Sequence, residues 1–486
     1  MKLKTAFSYL TMAELKHFGR VLDSGLLGNQ EALAVCFRAC MQLAGEIPEW
    51  GEVELAAVLF PGKDPIQQVK YLRTRTSAML RYVEKYLAWK EFDSDPVLKA
   101  SCLVMSLNRR GWKSGYQEAY RTAITQLNEA PLKGFLHYAA EVGMFDGYLE
   151  AFGQSGRAGQ PSFQAVMDSL DAAYLMKKYS LATKAASEDR IRQTSHRYTF
   201  LPEIESWMAS HGSTVSPLVY LHSLIYRLTA SVGPESDNYY FSAKHLYFLM
   251  IDQLLATQRF EAQDQFICLV NYCVLRSNMK SMAFRLELVN LYKAGLNAQI
   301  GLVDGEIEPH DFINAFSVFL TAGDREAIVW LFQSFGQKIR GESALATRHH
   351  CNGWLQFWDG SFEEACESLT KALHAPPKRK DPQLEVELRA QLARAKYCLK
   401  EYSEAILHAK SVLDQIKEMT FLNSEKATSF RQFALIFVEL CRAANARNIQ
   451  KKAKCASLLR KISETKVPFF ASLWVKPQLQ MLEKEK

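Results

Sequence analysis

The sequence lacks any apolar run long enough to cross a bilayer. Its most apolar stretches, such as 246–251 and 433–440, are much shorter than the roughly 18 residues that a membrane-spanning helix needs. The first residues also lack the apolar core of a signal peptide, since Thr5, Ser8 and Thr11 interrupt them. We therefore expect a cytoplasmic protein that does not bind membranes.

The cysteines lack the spacing of a metal site or a redox centre. Ten cysteines are scattered along the chain, and no Cys-x-x-Cys occurs. Cys36 and Cys40 are one helical turn apart within an apolar pattern, as buried thiols are. Disulfide frameworks are typical of small secreted domains, which this long chain does not resemble. We expect reduced cysteines that pack as small core residues.

Signatures of catalysis are also missing. There is no Gly-x-x-x-x-Gly-Lys-Ser/Thr phosphate loop, no Gly-x-Gly-x-x-Gly after a strand and no His-Glu-x-x-His. The densest group of metal-type ligands is His349-His350-Cys351, but neighbouring helical side chains point about 100° apart and do not easily share one ion. We predict no catalytic, cofactor-binding or metal-binding residues. An enzyme whose site converges from distant positions stays open as a third hypothesis.

What the sequence does contain is one amphipathic helix after another. Thr11 and Glu14 have the spacing of a capping box, and Asp64-Pro65 combines an N-cap residue with a proline in the first turn. No segment alternates apolar and polar residues as a half-buried strand does. The composition, 48% hydrophobic and 23% charged, is that of a folded protein. The pattern predicts an all-α fold.

Internal repeats are clearest near the C-terminus. With an offset of 40 residues, Phe357 aligns with Tyr397, Phe362 with Tyr402 and Ala365 with Ala405. The aromatic and small residues of Gly360-Ser-Phe-Glu-Glu-Ala365 and its second copy resemble the tetratricopeptide repeat over residues 353–416. The resemblance implies a right-handed α-solenoid of antiparallel helical hairpins, here with degenerate repeats.

Breaks in the helical pattern suggest three regions. We predict an N-terminal helical cap over residues 1–93, a region of helical hairpins over 94–230 and a tetratricopeptide-like solenoid over 237–486. The last region ends in basic capping helices, because residues 437–486 hold eleven Lys and Arg against four Glu, an excess equal to the +7 of the whole chain. A terminal repeat needs a polar outer face for solubility, which this charge provides.

The predicted function is that of a non-enzymatic scaffold or adaptor. A helical solenoid offers an extended groove in which a peptide or protein segment can bind. The first helices of the last two pairs supply the candidate lining residues, on which we expect a protein ligand of unknown identity to dock: Arg348, Asn352, Arg389, Arg394 and Lys396.

The alternative function is nucleic-acid binding. Residues 55–81 resemble the helix-turn-helix of winged regulators that carry tetratricopeptide-like effector domains, although no strands flank them here as they do in that family. In this interpretation the second helix presents basic residues to DNA, and the basic C-terminus adds further contacts. The candidate contacts are Lys70, Arg73, Arg75, Arg81, Lys451, Lys452 and Lys454. Otherwise these residues form solvated faces of helical caps.

Overall fold

The structure is a computed structural model, and it divides the chain into two compact units. One comprises residues 1–182 and 197–222, the other residues 183–196 and 223–486. The residues that the structure describes are 6–7, 10–26, 31–46, 52–152, 162–212, 214–279, 281–376, 382–418, 424–446, 448–464 and 470–484.

The helices up to residue 230 begin at the signals that the sequence predicts. They are α1 (Met12–Ser24), α2 (Glu31–Glu46), α3 (Glu52–Leu59), α4 (Pro65–Ser94), α5 (Pro96–Arg109), α6 (Lys113–Glu129), α7 (Phe135–Phe152), α8 (Phe163–Arg192), α9 (Leu201–His211) and α10 (Pro217–Ala230). The capping box of Thr11 and Glu14 is formed at the start of α1, as predicted. The Asp64 carboxylate accepts the backbone N–H groups of Ile66 and Gln67 at the start of α4, which confirms that prediction too.

Two aromatic clusters form much of the core of the first unit. Phe18 of α1 packs against Phe37 of α2 and Tyr86 of α4, with 5.3 Å between ring centroids in both cases. Tyr116 and Tyr120 of α6 pack on α7 in the same way. Neighbouring helices of this unit are therefore joined pairwise by buried rings, which contribute large apolar areas per residue.

The second unit continues as helices joined by short connections. They are α11 (Asp237–Leu249), α12 (Ile251–Thr257), α13 (Arg259–Asn278), α14 (Met282–Asn297), α15 (Pro309–Ala322), α16 (Arg325–Phe335), α17 (Ala344–Trp358), α18 (Phe362–His374), α19 (Pro382–Cys398), α20 (Tyr402–Glu418), α21 (Ser424–Ala444), α22 (Asn448–Glu464) and α23 (Ser472–Lys484). The fold is all-α, as predicted, and its helices pack in neighbouring pairs.

One small departure from the helical pattern is a β-hairpin between α14 and α15. Strands β1 (Leu302–Val303) and β2 (Glu306–Ile307) pair antiparallel around Asp304-Gly305. Both turn residues have positive φ, which an Asp-Gly pair adopts readily. The sequence marks this segment only as a break between helices, so the hairpin was not predicted.

The helical pairs at the predicted repeats have the expected boundaries. The second helices, α18 and α20, begin at Phe362 and Tyr402, and the turns before them place Gly360 and Lys400 in the left-handed region. Helix α17 contacts α18 and α19, and α19 contacts α20. The arrangement is compatible with a helical-repeat solenoid.

Three further expectations can be compared with the structure. All ten cysteines are free thiols, and seven of them are buried, as expected. Within the part of the chain that the structure describes, no helix combines the length and apolarity that crossing a membrane requires. The predicted boundaries after residues 93 and 230 stay predictions.

Candidate functional site

A row of aromatic side chains runs across three first helices of the C-terminal array. Phe357 of α17, Tyr397 of α19 and Phe437 of α21 are separated by 40 residues each, and all three are buried. Trp474 of α23 contacts every one of them, with ring-centroid distances of 6.2, 5.5 and 6.1 Å in chain order. We call the three rings the aromatic row. One indole thus binds equivalent positions of three consecutive helical pairs.

Apolar contacts on both sides of Trp474 hold α23 in this position. Phe470, just before the helix, packs on Phe430 and Phe433 of α21 with centroid distances of 4.6 and 5.2 Å. Further along α23, Val475 and Leu479 are fully buried in the core that α21 and α22 share. The last helix of the chain is therefore packed along the array and not only at its end.

Arg394 of α19 lies within this contact. Its guanidinium is 4.4 Å from the ring centre of Phe357 and 5.0 Å from that of Trp474, and the residue is only 7% exposed. Nη1 donates to the side-chain oxygen of Gln391 at 2.9 Å, whereas Nε has no hydrogen-bond partner. Among the described residues no carboxylate forms an ion pair with Arg394. Burial lowers the pKa of Arg394 to about 10.

This arrangement leaves a buried cation without an anion. Arginine normally meets carboxylates through two parallel hydrogen bonds when it is withdrawn from water. Cation–π contacts with two rings offset part of the desolvation, but they provide no acceptor for Nε. The site therefore combines an aromatic surface with an unsatisfied donor, which is the chemistry to bind an aromatic group and an acidic group together.

The other four predicted partner-binding residues do not join Arg394. Arg348 donates to the carbonyl of Gly336 and to Gln337, and Asn352 is exposed on α17. Arg389 pairs with Glu385 one turn earlier on α19 at 2.7 Å.

Lys396 also points away from the aromatic row. It forms ion pairs with Glu401 and with Glu404 of α20, 2.7 Å for the second, and the hydrogen bonds from these carboxylates raise its pKa. Whether any of the five predicted residues binds a partner stays a prediction.

Three of the predicted nucleic-acid contacts line one groove beside α3 and α4. Lys70, Arg73 and Arg81 share an open groove of about 820 Å³, which is otherwise lined by Val53, Pro65, Ile66, Val69, Thr74 and Ser77. Arg73 is held there by two hydrogen bonds to the carboxylate of Glu52, at 3.0 and 2.8 Å.

The remaining basic candidates lie elsewhere. Arg75 is half-buried and does not line the groove. Lys452 and Lys454 are exposed on α22, opposite its buried residues Leu458 and Ile462, whereas the side chain of Lys451 lies outside the described residues. Each basic surface is compatible with a solvated helix face.

The histidine pair next to Cys351 is a packing feature. His350 is fully buried, its ring stacks on Trp354 with 5.8 Å between centroids, and neither ring nitrogen has a hydrogen-bond partner. Burial lowers the pKa of His350 to about 4. In the described part of the chain no three His, Cys, Asp or Glu side chains are grouped as a metal would require.

Two members of the aromatic site were missed in the sequence. Phe437 follows Tyr397 by the same 40 residues that separate Tyr397 from Phe357, so extending the alignment by one step would have found it. Trp474 carries no such signal, because it belongs to no repeat. A scan against models of known protein families matches nothing along this chain, and a search of curated protein sequences likewise gives no match.

Proposed function

We propose that the chain is a non-enzymatic interaction scaffold or adaptor of the cytoplasm, which binds a peptide or protein segment in the groove of a helical solenoid. In this proposal the solenoid is right-handed and built from degenerate tetratricopeptide-like repeats. The observation that carries the proposal is the aromatic row, since one face of three successive helical pairs already holds a helix of the same chain.

The physical basis is repetition along one face. Equivalent residues of stacked pairs recur at fixed intervals, so a segment that lies across them meets a similar contact at each step. Helices that dock into such grooves anchor through a few large side chains at helical spacing. Phe357, Tyr397 and Phe437 have the regular spacing that this mode of binding needs.

Affinity capture from native lysate at moderate salt, with and without nuclease, tests the proposal. The full-length protein is compared with the double variant Asn352→Arg/Arg389→Glu, which changes two predicted lining residues. Arg121→Glu, at an exposed arginine of α6, is the matched control. A discrete protein that survives nuclease and is lost only in the double variant supports the scaffold. Recovery that collapses with nuclease contradicts it.

Nucleic-acid binding is the second candidate, and the shared groove of Lys70, Arg73 and Arg81 favours it. Phosphate contacts release counterions, so binding of a labelled DNA duplex should weaken by a factor on the order of 1,000 between 50 and 200 mM salt. Fluorescence anisotropy of the full-length protein and of Lys70→Ala/Arg81→Ala measures this. A duplex that binds both proteins equally, or with little response to salt, excludes the groove as a nucleic-acid site.

A further inference from the structure

We propose that α23 is a displaceable internal ligand, and that the surface beneath it is the docking site for another protein. The surface comprises the aromatic row and Arg394. Its partner is an amphipathic helix that carries a large aromatic residue and, within one turn of it, a carboxylate. The inference rests on the proposed scaffold function and names the partner chemistry of that same face.

The contact of α23 with the array has the form of a ligand contact. A structural capping helix needs only to cover the last pair, α21 and α22. Trp474 reaches two pairs further back, to Tyr397 of α19 and Phe357 of α17. The indole therefore occupies repeated positions that are equivalent by sequence, as an external helix on this face would.

The fit of α23 to this surface is incomplete in one respect. Arg394 is buried under Trp474 without an anion, and its Nε donates to nothing. Along α23 the acidic residue is Glu483, nine residues after Trp474 and hence about 13 Å further along the helix axis. The helix presents Lys476, a second cation, much closer to the indole. Closure by α23 thus leaves Arg394 unpaired.

This mismatch gives a partner the means to compete. A tethered helix acts at an effective concentration on the order of millimolar, which excludes a free helix of equal intrinsic affinity. A partner that also places a carboxylate against Arg394 gains a charge-assisted hydrogen bond that α23 cannot make. The unpaired arginine therefore selects acidic aromatic helices over the internal one.

Peptide binding measured by fluorescence anisotropy tests the inference. The probes are labelled peptides of residues 470–484, unchanged or carrying Ala471→Glu or Gln478→Glu, which bracket Trp474 by one turn on either side. The proteins are the full-length wild type, Trp474→Ala, Trp474→Ala/Arg394→Gln and, as a matched control, Met481→Ala, which changes an exposed residue of α23.

We expect Trp474→Ala to bind the unchanged peptide at least tenfold more tightly than wild type and Met481→Ala do, because the tethered competitor is weakened. At least one acidic peptide should bind Trp474→Ala roughly tenfold more tightly than the unchanged one, and Arg394→Gln should remove that preference. Equal affinities of all three peptides, or no binding to Trp474→Ala with its circular dichroism intact, overturn the inference.

Hydrogen exchange of the wild-type protein gives an independent measurement. If α23 opens by itself, its amides exchange at least tenfold faster than those of α21, whereas a permanent structural element exchanges together with α21. Common exchange of the two helices sinks the internal-ligand proposal even where the variants do not fold. The scaffold function fails separately, through loss of the nuclease-resistant protein in affinity capture.

Discussion

A Cβ atom added to Gly353 would lie 2.7 Å from Cγ of Leu369 and 3.2 Å from the carbonyl oxygen of Ala365. Helix α17 therefore approaches α18 so closely because residue 353 has no side chain. Ala365 is itself fully buried at this contact. The small residues that carry the repeat resemblance thus have a direct packing role in the first predicted repeat.

We expect Gly353→Ala to destabilise the second unit. Overpacking of a tight contact costs about 1–3 kcal/mol, and the better helix propensity of alanine returns about 1 kcal/mol of this. Gly143→Ala is the matched control, since Gly143 is exposed within α7 and an added Cβ meets nothing within 4 Å. Urea denaturation should show lower stability for the first variant and unchanged or higher stability for the second.

Asp237→Asn should weaken the second unit through Arg276. The arginine is 8% exposed and binds the carboxylate of Asp237 through two hydrogen bonds of 2.8 Å. Removing the negative charge leaves a buried cation unpaired, which costs about 3–5 kcal/mol. The control is Asp23→Asn, because the exposed pair of Asp23 and Arg38 contributes less than about 1 kcal/mol. Similar losses of denaturation free energy in the two variants would contradict this expectation.

His350 should make stability depend on pH. Its folded pKa of about 4 lies below the ordinary value of 6.5, so between these values the unfolded chain binds the proton and the folded one does not. Stability is therefore highest above pH 6.5 and falls toward pH 4 by about 1.4 kcal/mol per pH unit from this residue. Burial also lowers the pKa values of His349 and His408, which add to the fall.

His350→Leu should reduce that pH dependence and preserve stability at pH 7. Leucine has a similar bulk and removes two ring nitrogens that have no hydrogen-bond partner. His310→Gln, at a 73% exposed histidine, should retain the wild-type slope. Denaturation midpoints measured from pH 7 to pH 4.5 distinguish the two. An unchanged slope in His350→Leu would show that its protonation is not linked to folding.

The sequence predicts most of the local structure because local signals determine it. The capping box at Thr11, the N-cap at Asp64 and the helix starts at Phe362 and Tyr402 depend on residues within one or two turns. The Asp304-Gly305 hairpin carries an equally local signal, and it was missed because the surrounding helical rhythm dominated the interpretation.

The candidate site depends on contacts that no local pattern encodes. Arg394 was predicted to line an open groove, a position inferred from its helix alone. Its burial results from Phe357, 37 residues earlier, and from Trp474, 80 residues later. A single sequence contains the spacing of the aromatic row but not the return of α23 onto it, since that helix repeats no earlier segment.

Arg394→Met should leave the stability of the second unit unchanged or raise it. Methionine keeps an unbranched stem and places a thioether against the rings of Phe357 and Trp474, while it removes the desolvation penalty of an unpaired buried charge. Arg276→Met is the contrasting variant, because it leaves Asp237 without its partner and should cost about 3–5 kcal/mol.

Urea denaturation of the two methionine variants, together with Arg394→Ala, measures the difference. Alanine at position 394 should destabilise by about 2–4 kcal/mol, since it leaves a cavity between two rings. A loss in Arg394→Met as large as in Arg276→Met would mean that the charge of Arg394 is compensated in the folded chain. The argument for an acidic partner would then lose its basis. With the expected result, Arg394 lowers or does not support stability, and its charge is better explained by a ligand that it binds.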